Sequence, residues 1–273
     1  MAATDRDTHI SAPWCVLIPC HNEERAIGGV LASVLTLGVP VIVIDDGSDD
    51  ATAEIAAQLP VTLIRHDVRR GKGEALRSGF RAALTAGYRG AVSMDGDGQH
   101  VAADVPRLAA TASAWPRHIV IGARLINRER QPVYRRLAND FGDWGISWAC
   151  GQRLVDTQSG QRWYPREVLE LANIATDGFV FESEILIEAA WQLGVRVVAV
   201  PIESRYESSR HARQFRLSHF RPLRDFSRIT ARVVWKIVRR GGMWDNLRRA
   251  RADTALVVDM PRVPAELLAT AAK

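Results

Sequence analysis

The sequence Met94-Asp95-Gly96-Asp97-Gly98-Gln99-His100 places two carboxylates on either side of one glycine, directly after an apolar run. We predict a strand over residues 88–94, so the carboxylates follow its C-terminal end, where open α/β sheets bind their ligands. In an extended segment residues i and i+2 project to the same side, so Asp95 and Asp97 can face one cation. Hard cations prefer oxygen ligands and keep positions for substrate phosphates. The simpler alternative is a solvated Asp-Gly turn, and the surrounding sequence favours the metal site.

Strands and helices alternate on both sides of this stretch. The predicted strands cover residues 14–18, 39–44, 61–64, 88–94 and 195–201, and the predicted helices cover residues 23–37, 51–59 and 73–86. In the first helix, apolar side chains recur at positions i, i+3, i+4, i+7 and i+8. Such alternation implies right-handed crossovers and a largely parallel sheet with helices on both faces.

Polar residues gather where the predicted strands end. They are Cys20-His21-Asn22-Glu23, Asp45-Asp46, Arg69-Arg70-Gly71-Lys72-Gly73 and the stretch from Asp95 to His100. Parallel strands end at one edge of a sheet, so these groups would line one rim. Acids, a basic glycine-containing loop and paired carboxylates suit a nucleotide diphosphate. The chain has no G-x-G-x-x-G after its first strand and no G-x-x-x-x-G-K-[ST], which argues against dinucleotide and Walker-type sites.

Composition narrows the class of protein. The chain has 273 residues, of which 47% are hydrophobic and 25% charged, as expected for one large globular domain with an appendage. Residues 1–13 lack a signal-peptide core, and no apolar run approaches the about 18 to 20 residues that cross a bilayer. We therefore expect the protein to remain where it is made. Three cysteines in mostly apolar surroundings favour reduced thiols, and the absence of CxxC spacing argues against zinc.

Six motifs, taken in their order along the chain, resemble those of family 2 glycosyltransferases. They are Pro19-Cys20-His21-Asn22-Glu23, Asp45-Asp46-Gly47-Ser48, Gly71-Lys72-Gly73, Asp95-Gly96-Asp97-Gly98-Gln99-His100, Asp156-Thr157-Gln158-Ser159-Gly160 and Phe181-Glu182-Ser183-Glu184. The resemblance spans residues 14–225 and is strongest to the branch that uses polyprenyl phosphates, such as the dolichyl-phosphate mannose synthases. It implies a GT-A fold, which is a Rossmann-like α/β fold with a mostly parallel sheet. It also implies a UDP- or GDP-sugar donor, a Mg²⁺ or Mn²⁺ ion and inversion at the sugar carbon.

The resemblance further implies roles for individual residues of the donor site. The positions around the base and ribose are matched by Pro19, His21, Glu23 and Asp45. Those at the metal and diphosphate are matched by Asp95, Gly96, Asp97 and Gln99, with Lys72 available to the leaving diphosphate.

For the acceptor, Arg124 and Arg135 match arginines that hold a phosphate in this branch. A guanidinium fork of donors suits phosphate oxygens. Adjacent arginines on a helix are commonly surface residues. For Arg135 and its neighbour Arg136 the alternative is therefore an ordinary surface position with no role in phosphate binding.

The chemistry of the acceptor separates two mechanisms. An alcohol must lose a proton to attack and needs a positioned base, whereas a phosphate monoester is already ionised near neutral pH. The supply of arginines favours phosphate. If the acceptor is a hydroxyl, the candidate bases are Asp156 and Glu182, the second of which lies among apolar residues. Their structural alternatives are a turn cap and an ordinary helix-start acid.

Arginine dominates the chain after residue 201. We predict a helix over residues 225–240 with an apolar face and a cationic face, which can lie in an anionic membrane interface. The alternatives are that the apolar face covers the sheet, or that the basic face attracts nucleic acid, for which nothing else argues.

We therefore divide the chain into four parts: an N-terminal extension over residues 1–13, a GT-A catalytic domain over 14–205, a basic acceptor loop with amphipathic, membrane-associating helices over 206–251, and a tail over 252–273. The predicted enzyme is a metal-dependent, inverting glycosyltransferase. It moves a sugar from a UDP- or GDP-sugar to a polyprenyl phosphate at the cytoplasmic face of the membrane, as a peripheral protein. The alternatives are transfer to a hydroxyl of a lipid or small molecule, and an idle nucleotide-binding module.

Overall fold

The computed structural model describes residues 14–131, 133–174, 180–203, 234, 238–239 and 243–259, with the side chains of residues 130, 134, 135 and 180 outside that description. The strands are β1 (Trp14–Cys20), β2 (Val41–Asp45), β3 (Thr62–Arg65), β4 (Gly90–Ser93), β5 (His118–Ala123), β6 (Arg162–Pro165) and β7 (Arg196–Pro201). The helices are α1 (Ile27–Leu35), α2 (Thr52–Ala57), α3 (Lys72–Thr85), α4 (Val105–Ala114), α5 (Val133–Cys150), α6 (Arg166–Leu169), α7 (Val180–Leu193) and α8 (Met243–Ala252).

The strands form one sheet of seven in the order β3-β2-β1-β4-β6-β5-β7. Neighbouring strands are parallel except around β6, which runs antiparallel to both β4 and β5. The prediction of a largely parallel α/β sheet is confirmed, whereas the strands β5 and β6 were not predicted. Six strands therefore end at one edge of the sheet, and β6 starts at that edge.

Both faces of the sheet are buried. Along β1, Cys15 and Leu17 belong to one hydrophobic cluster, and Val16 and Ile18 belong to the other. The first cluster takes side chains from α3, α5, α6 and α7, and the second takes them from α1, α2 and α4. A strand covered on both faces needs apolar residues at every position, which explains why these strands read as unbroken apolar runs.

The chain returns to the sheet after α8. Val257 forms a parallel bridge with Ala199 of β7. The Ala199 N–H donates to the Leu256 carbonyl at 2.8 Å, and the Val258 N–H donates to the Ala199 carbonyl at 2.8 Å. Residues 256–258 thus add a short segment to the edge of the sheet.

Several predicted segments fall outside this description. They are residues 1–13, the basic acceptor loop from residue 206 onward, most of the predicted amphipathic helix over 225–240, and the tail from residue 260 onward. The division of the chain into four parts stays a prediction. Among the residues that the structure describes, no helix combines the length and apolar character needed to span a membrane.

Candidate active site

The predicted rim exists, and β6 completes it. Asp45 ends β2, Asp95 follows β4 and Arg124 follows β5 at the same edge of the sheet. Because β6 runs the other way between β4 and β5, the turn before it, residues 156–160, enters this edge between Asp95 and Arg124. The antiparallel strand therefore brings the fifth motif to Asp95 of the fourth.

Asp95 lies at the centre of a charged cluster. Lys72 Nζ is 2.6 Å from Asp95 Oδ1 and 3.2 Å from Glu182 Oε1. His100 Nε2 is 3.5 Å from Asp95 Oδ2. Burial disfavours each charge, yet Lys72 and His100 hold the pKa of Asp95 well below its usual range. In the same way burial opposes the Lys72 charge, but the carboxylates of Asp95 and Glu182 raise the pKa of Lys72.

Gly160 leaves the space that the Asp95 carboxylate occupies. A Cβ atom at position 160 would lie 2.8 Å from Asp95 Cγ, too close for two carbon atoms. The Gly160 carbonyl is fixed because it accepts a hydrogen bond from the Ser93 hydroxyl at 2.7 Å. The glycine of the fifth motif is thus needed for close approach.

Asp97 is placed by a turn. The backbone turns at Gly96 and Asp97, Gly98 has a φ of 80°, and the Gln99 N–H donates to Asp97 Oδ1 at 2.9 Å. The argument that an extended backbone aligns Asp95 and Asp97 is therefore wrong, because an aspartate with glycines on both sides favours a local turn. Burial and the negative charge of Asp95 raise the pKa of Asp97, as expected for two carboxylates that sense each other.

Arg124 and Asp156 form a tight ion pair. Arg124 Nη2 donates to Asp156 Oδ1 at 2.6 Å, while its Nε and its backbone N–H donate to Asp156 Oδ2 at 2.9 and 2.7 Å. Burial opposes the Asp156 charge, but these bonds and the Arg124 charge lower its pKa. Asp156 has a φ of 48°, a left-handed conformation that is sparsely populated outside glycine and that aspartate and asparagine adopt more readily than other residues.

The predicted base and ribose residues surround the ends of β1 and β2. Asp45 is fully buried, accepts hydrogen bonds from the backbone N–H and hydroxyl of Ser48, and pairs with Arg65 Nε at 3.3 Å. Pro19 lies within β1, and the half-buried His21 and Glu23 follow it. Thr52 Oγ1 accepts the Glu23 N–H at 2.7 Å. The structure brings these residues together, and their roles stay predictions.

Asp46 holds the basic loop, a role that was not predicted. Its carboxylate accepts the N–H groups of Arg70 and Gly71 at 2.9 and 2.7 Å, and its Oδ1 lies 2.8 Å from His66 Nδ1. Gly71 directly precedes Lys72 at the start of α3. Asp46 therefore helps to set where Lys72 meets Asp95. The doubled acid at 45–46 was the available signal, but nothing in the sequence separates the roles of its two members.

Arg162 is a second residue that sequence reasoning missed. Its fully buried guanidinium donates to the carbonyls of Ser159, Glu182 and Thr157 at 2.7, 2.7 and 2.6 Å. It joins the turn before β6 to the start of α7. Only the depletion of arginine from protein interiors could have drawn attention to it, and that requires knowing that β6 is a buried strand.

The donor set fits a divalent cation that is shared with a substrate. No three His, Cys, Asp or Glu side chains in the described part of the chain form a group able to hold a metal. Asp95 and Asp97 are two carboxylates, and the negative charge of Asp95 raises the pKa of Asp97. Mg²⁺ is usually bound by one or two carboxylates together with substrate phosphates. Because Lys72 and Arg124 are already paired with carboxylates, neutralising a diphosphate here would require the bound cation.

The side chain of Arg135 lies outside the described residues, although its backbone belongs to α5. The other predicted site residues are described, and among them Asp156 pairs with Arg124, while Asp95 and Glu182 pair with Lys72.

Comparison with known proteins supports the resemblance to family 2 glycosyltransferases. A family model described as glycosyl transferase family 2 matches residues 15–171. An undecaprenyl-phosphate mannosyltransferase of Micrococcus luteus is 32% identical over 68% of this chain and 81% of its own length. A polyprenol monophosphomannose synthase of Mycolicibacterium smegmatis is 31% identical over 68% of this chain and 75% of its own length.

Solved structures share the fold. Glucosyl-3-phosphoglycerate synthase from Mycobacterium tuberculosis, in complex with Mn²⁺, UDP and glucosyl-3-phosphoglycerate, superposes with a TM-score of 0.56 at 24% identity over 84% of this chain and 80% of that chain. The GT-A fold, the enzyme class and the family expected from the six motifs are confirmed. The chain belongs to glycosyltransferase family 2 and is a glycosyltransferase with a GT-A fold.

Proposed function

We propose that this enzyme transfers a sugar, with inversion, from a UDP- or GDP-sugar to a polyprenyl phosphate, and that it does so at the cytoplasmic face of the membrane. Relatives named for undecaprenyl-phosphate mannosyl transfer and polyprenol monophosphomannose synthesis support an acceptor of this class.

The observation that carries the proposal is that both candidate bases are ion-paired. Arg124 binds both oxygens of Asp156 and lowers its pKa, so Asp156 is a weak base. Glu182 pairs with Lys72 at 3.2 Å. A hydroxyl acceptor would need one of these carboxylates to take its proton, whereas a phosphate acceptor is ionised already and needs only nearby positive charge.

In the proposed mechanism the chain positions two anionic substrates for a single displacement. The first two motifs, from Pro19 to Glu23 and at Asp45, hold the base and ribose. Arg124, joined by Arg135 as the resemblance implies, orients the attacking phosphate oxygen. Lys72 lies beside Asp95 and adds positive charge near the leaving diphosphate.

A divalent cation completes the donor side of this proposal. Asp95 and Asp97, with Gln99, would hold Mg²⁺ or Mn²⁺, which when bound supplies charge neutralisation for the leaving diphosphate. The raised pKa of Asp97 beside Asp95 supports the pairing of these carboxylates at one cation. The structural neighbour that was crystallised with Mn²⁺ and UDP is consistent with this choice.

An exposed apolar stripe on α5 supports contact with a membrane. Val133, Leu137, Phe141 and Trp144 are 59, 65, 46 and 37% exposed. Their spacing of four, four and three residues places them on one helical face. Large apolar side chains collected on one exposed face are typical of a docking surface.

The basic residues of α8, a helix that contacts α5, favour binding to anionic lipid. Trp148 links α5 to α8, because its indole N–H donates to the Met243 carbonyl at 2.8 Å. The exposed basic residues of α8 are Arg248, Arg249 and Arg251, and Trp244 of the same helix is 65% exposed. Apolar side chains flanked by arginines suit an interface of acyl chains and anionic headgroups.

The test is a transfer assay with matched acceptors. Radiolabelled UDP- and GDP-sugars are offered with a short polyprenyl phosphate or with the corresponding polyprenol, in Mn²⁺ or with a chelator. We expect chelator-sensitive transfer to the polyprenyl phosphate only. The donor that supports transfer then identifies the nucleotide and the sugar. Transfer to the polyprenol, or nucleotide binding without transfer to either lipid, would overturn the proposal.

A further inference from the structure

Asp143 connects α5 to the turn that carries Asp156. Its Oδ2 accepts the Asp156 N–H at 2.7 Å, and its Oδ1 accepts both the Thr157 N–H and the Thr157 hydroxyl at 2.7 and 2.6 Å. One carboxylate thus receives three donors from two consecutive residues. None of the six motifs includes Asp143.

The turn needs such support because of its backbone conformation. Asp156 has a φ of 48°, which a non-glycine residue keeps only when its surroundings enforce it. Asp143 accepts hydrogen bonds from the N–H groups at the N-terminal end of the turn (the entering side). Arg162 donates to the carbonyls of Thr157 and Ser159 toward its C-terminal end (the leaving side). The turn is therefore held from two directions.

The two supports serve different ends of the site. The leaving side ends at Gly160, which packs against Asp95 and so borders the donor. The entering side sets the direction of the Asp156 carboxylate, which fixes the Arg124 side chain through Nε and Nη2. A change at Asp143 is therefore transmitted first to Arg124.

We propose that Asp143 is a positioning residue that holds Asp156, and through it Arg124, in the orientation that receives the anionic acceptor. This inference rests on the proposed function, because it takes Arg124 as the residue that binds the acceptor phosphate. It implies that α5, which carries the exposed apolar stripe, also supplies a carboxylate that organises the acceptor half of the site.

Steady-state kinetics of Asp143→Asn provide the first readout. The amide keeps the shape of the side chain but turns an NH₂ group toward a backbone N–H, so the turn loses at least one hydrogen bond. We expect the KM for polyprenyl phosphate to rise about tenfold, with the KM for the sugar nucleotide changed less than about twofold. The matched control is Asp140→Asn, since Asp140 lies on the same helix, is about half exposed and pairs only with Arg128 among its described ion pairs. Equal changes in both KM values, or none, would overturn the inference.

A second readout does not depend on the acceptor. In protein labelled with ¹⁵N-arginine, the Arg124 Nε–Hε signal is assigned by its loss in Arg124→Lys, and its exchange with solvent is measured without substrates. Because that group donates to Asp156 at 2.9 Å, we expect slow exchange in the wild type and in Asp140→Asn. We expect exchange at least about tenfold faster in Asp143→Asn. Unchanged exchange in Asp143→Asn would overturn the inference.

The two readouts separate failure of the inference from failure of the proposed function. If wild-type protein does not use polyprenyl phosphate but the Arg124 signal responds to Asp143→Asn, the acceptor is wrong and the positioning stands. If Asp143→Asn does not fold, Thr157→Val replaces it, because it removes the hydroxyl that donates to Asp143 at 2.6 Å and that accepts only a longer bond of 3.4 Å from the Gln158 amide. We then expect a smaller change in the same direction, and its absence would count against the inference.

Discussion

Asp95 packs directly against Gly160, 65 positions later in the chain, so two motifs that are distant in sequence form one surface. The contact exists because β6 runs antiparallel to β4, which places the start of one strand beside the end of the other. Ser93 fastens it through a hydrogen bond of 2.7 Å to the Gly160 carbonyl. Any side chain at position 160 must displace the carboxylate on which the proposed donor site depends.

Replacing Gly160 with alanine is expected to abolish most activity. The added methyl group would displace Asp95, and a displacement on the order of 1 Å in a positioning group can cost about 100-fold in rate. We expect kcat/KM to fall by about that factor while the circular dichroism spectrum is retained. Gly29→Ala is the control, because a Cβ there meets nothing within 4 Å and alanine favours a helix. Near-wild-type turnover of Gly160→Ala would show that Asp95 can move without consequence.

Removing Arg124 is expected to destabilise the fold in a pH-dependent way. Its side chain and that of Asp156 are 16% and 9% exposed, and losing one partner of a buried ion pair costs about 3 kcal/mol or more. The folded-state pKa of Asp156 is lowered, so its stabilising contribution is complete above the unfolded-state pKa of about 3.9. That contribution declines as the pH falls through the lower folded-state pKa.

Urea unfolding of the wild type and Arg124→Gln between about pH 2 and pH 7 measures this effect. We expect a constant difference in the free energy of unfolding down to mildly acidic pH and a smaller difference below it. Arg128→Gln is the control, since the pair with Asp140 is exposed by 39% and 53% and should contribute less than about 1 kcal/mol. A difference that stays constant to the lowest pH would contradict the Asp156 assignment.

Changing Asp97 to asparagine is expected to weaken metal binding more than nucleotide binding. The raised pKa of Asp97 means that protons compete for it at a higher pH than for an ordinary carboxylate. We therefore expect the Mn²⁺ affinity of the wild type to fall as the pH is lowered, and Asp97→Asn to lose about 100-fold or more in turnover.

Electron paramagnetic resonance of free Mn²⁺ gives the metal affinity in the presence of nucleotide diphosphate. Asp67→Asn, which changes an exposed carboxylate between β3 and α3, should behave as the wild type does. Unaltered Mn²⁺ affinity in Asp97→Asn would remove Asp97 from the proposed metal site.

The apolar stripe on α5 predicts a defect in lipid binding that is separate from catalysis. Replacing both Leu137 and Phe141, which are 65% and 46% exposed, with serine removes apolar area that would otherwise be buried in lipid. We expect partition onto vesicles with anionic lipid to fall about tenfold or more, as measured by co-sedimentation. Val68→Ser changes an equally exposed residue outside the stripe, at 65%, and should leave the partition unchanged. If the double variant binds the vesicles as strongly as the wild type does, the stripe does not serve lipid binding.

The sequence determined the α/β class, the first half of the sheet and the approximate position of the site. The first four predicted strands and their helices were found within a few residues of their expected bounds, because doubly covered strands and amphipathic helices have distinct apolar patterns. Strand ends also mark where ligands bind in such sheets. For this reason the local pattern of the chain is enough to place His21, Asp45, Lys72 and Asp95 at one rim.

Individual pairings could not be predicted in the same way. Asp156 was a candidate base by sequence, and only the structure places it in an ion pair with Arg124. Asp143 and Arg162 carry no signal, since a single carboxylate or arginine in a helix or strand is ordinary by its sequence context. Their partners are backbone groups of a turn that sits beside them only when β6 has entered the sheet.

The sequence by itself thus determined the first four strands with their three helices, the last strand and the family, because these follow from local patterns of apolar residues and from short motifs. The tertiary structure alone decided that β6 runs antiparallel, that Gly160 contacts Asp95, and which basic side chain pairs with each carboxylate. Those outcomes depend on contacts between residues far apart in the chain. Their distances are set by packing, on which the spacing of residues along the sequence carries no information.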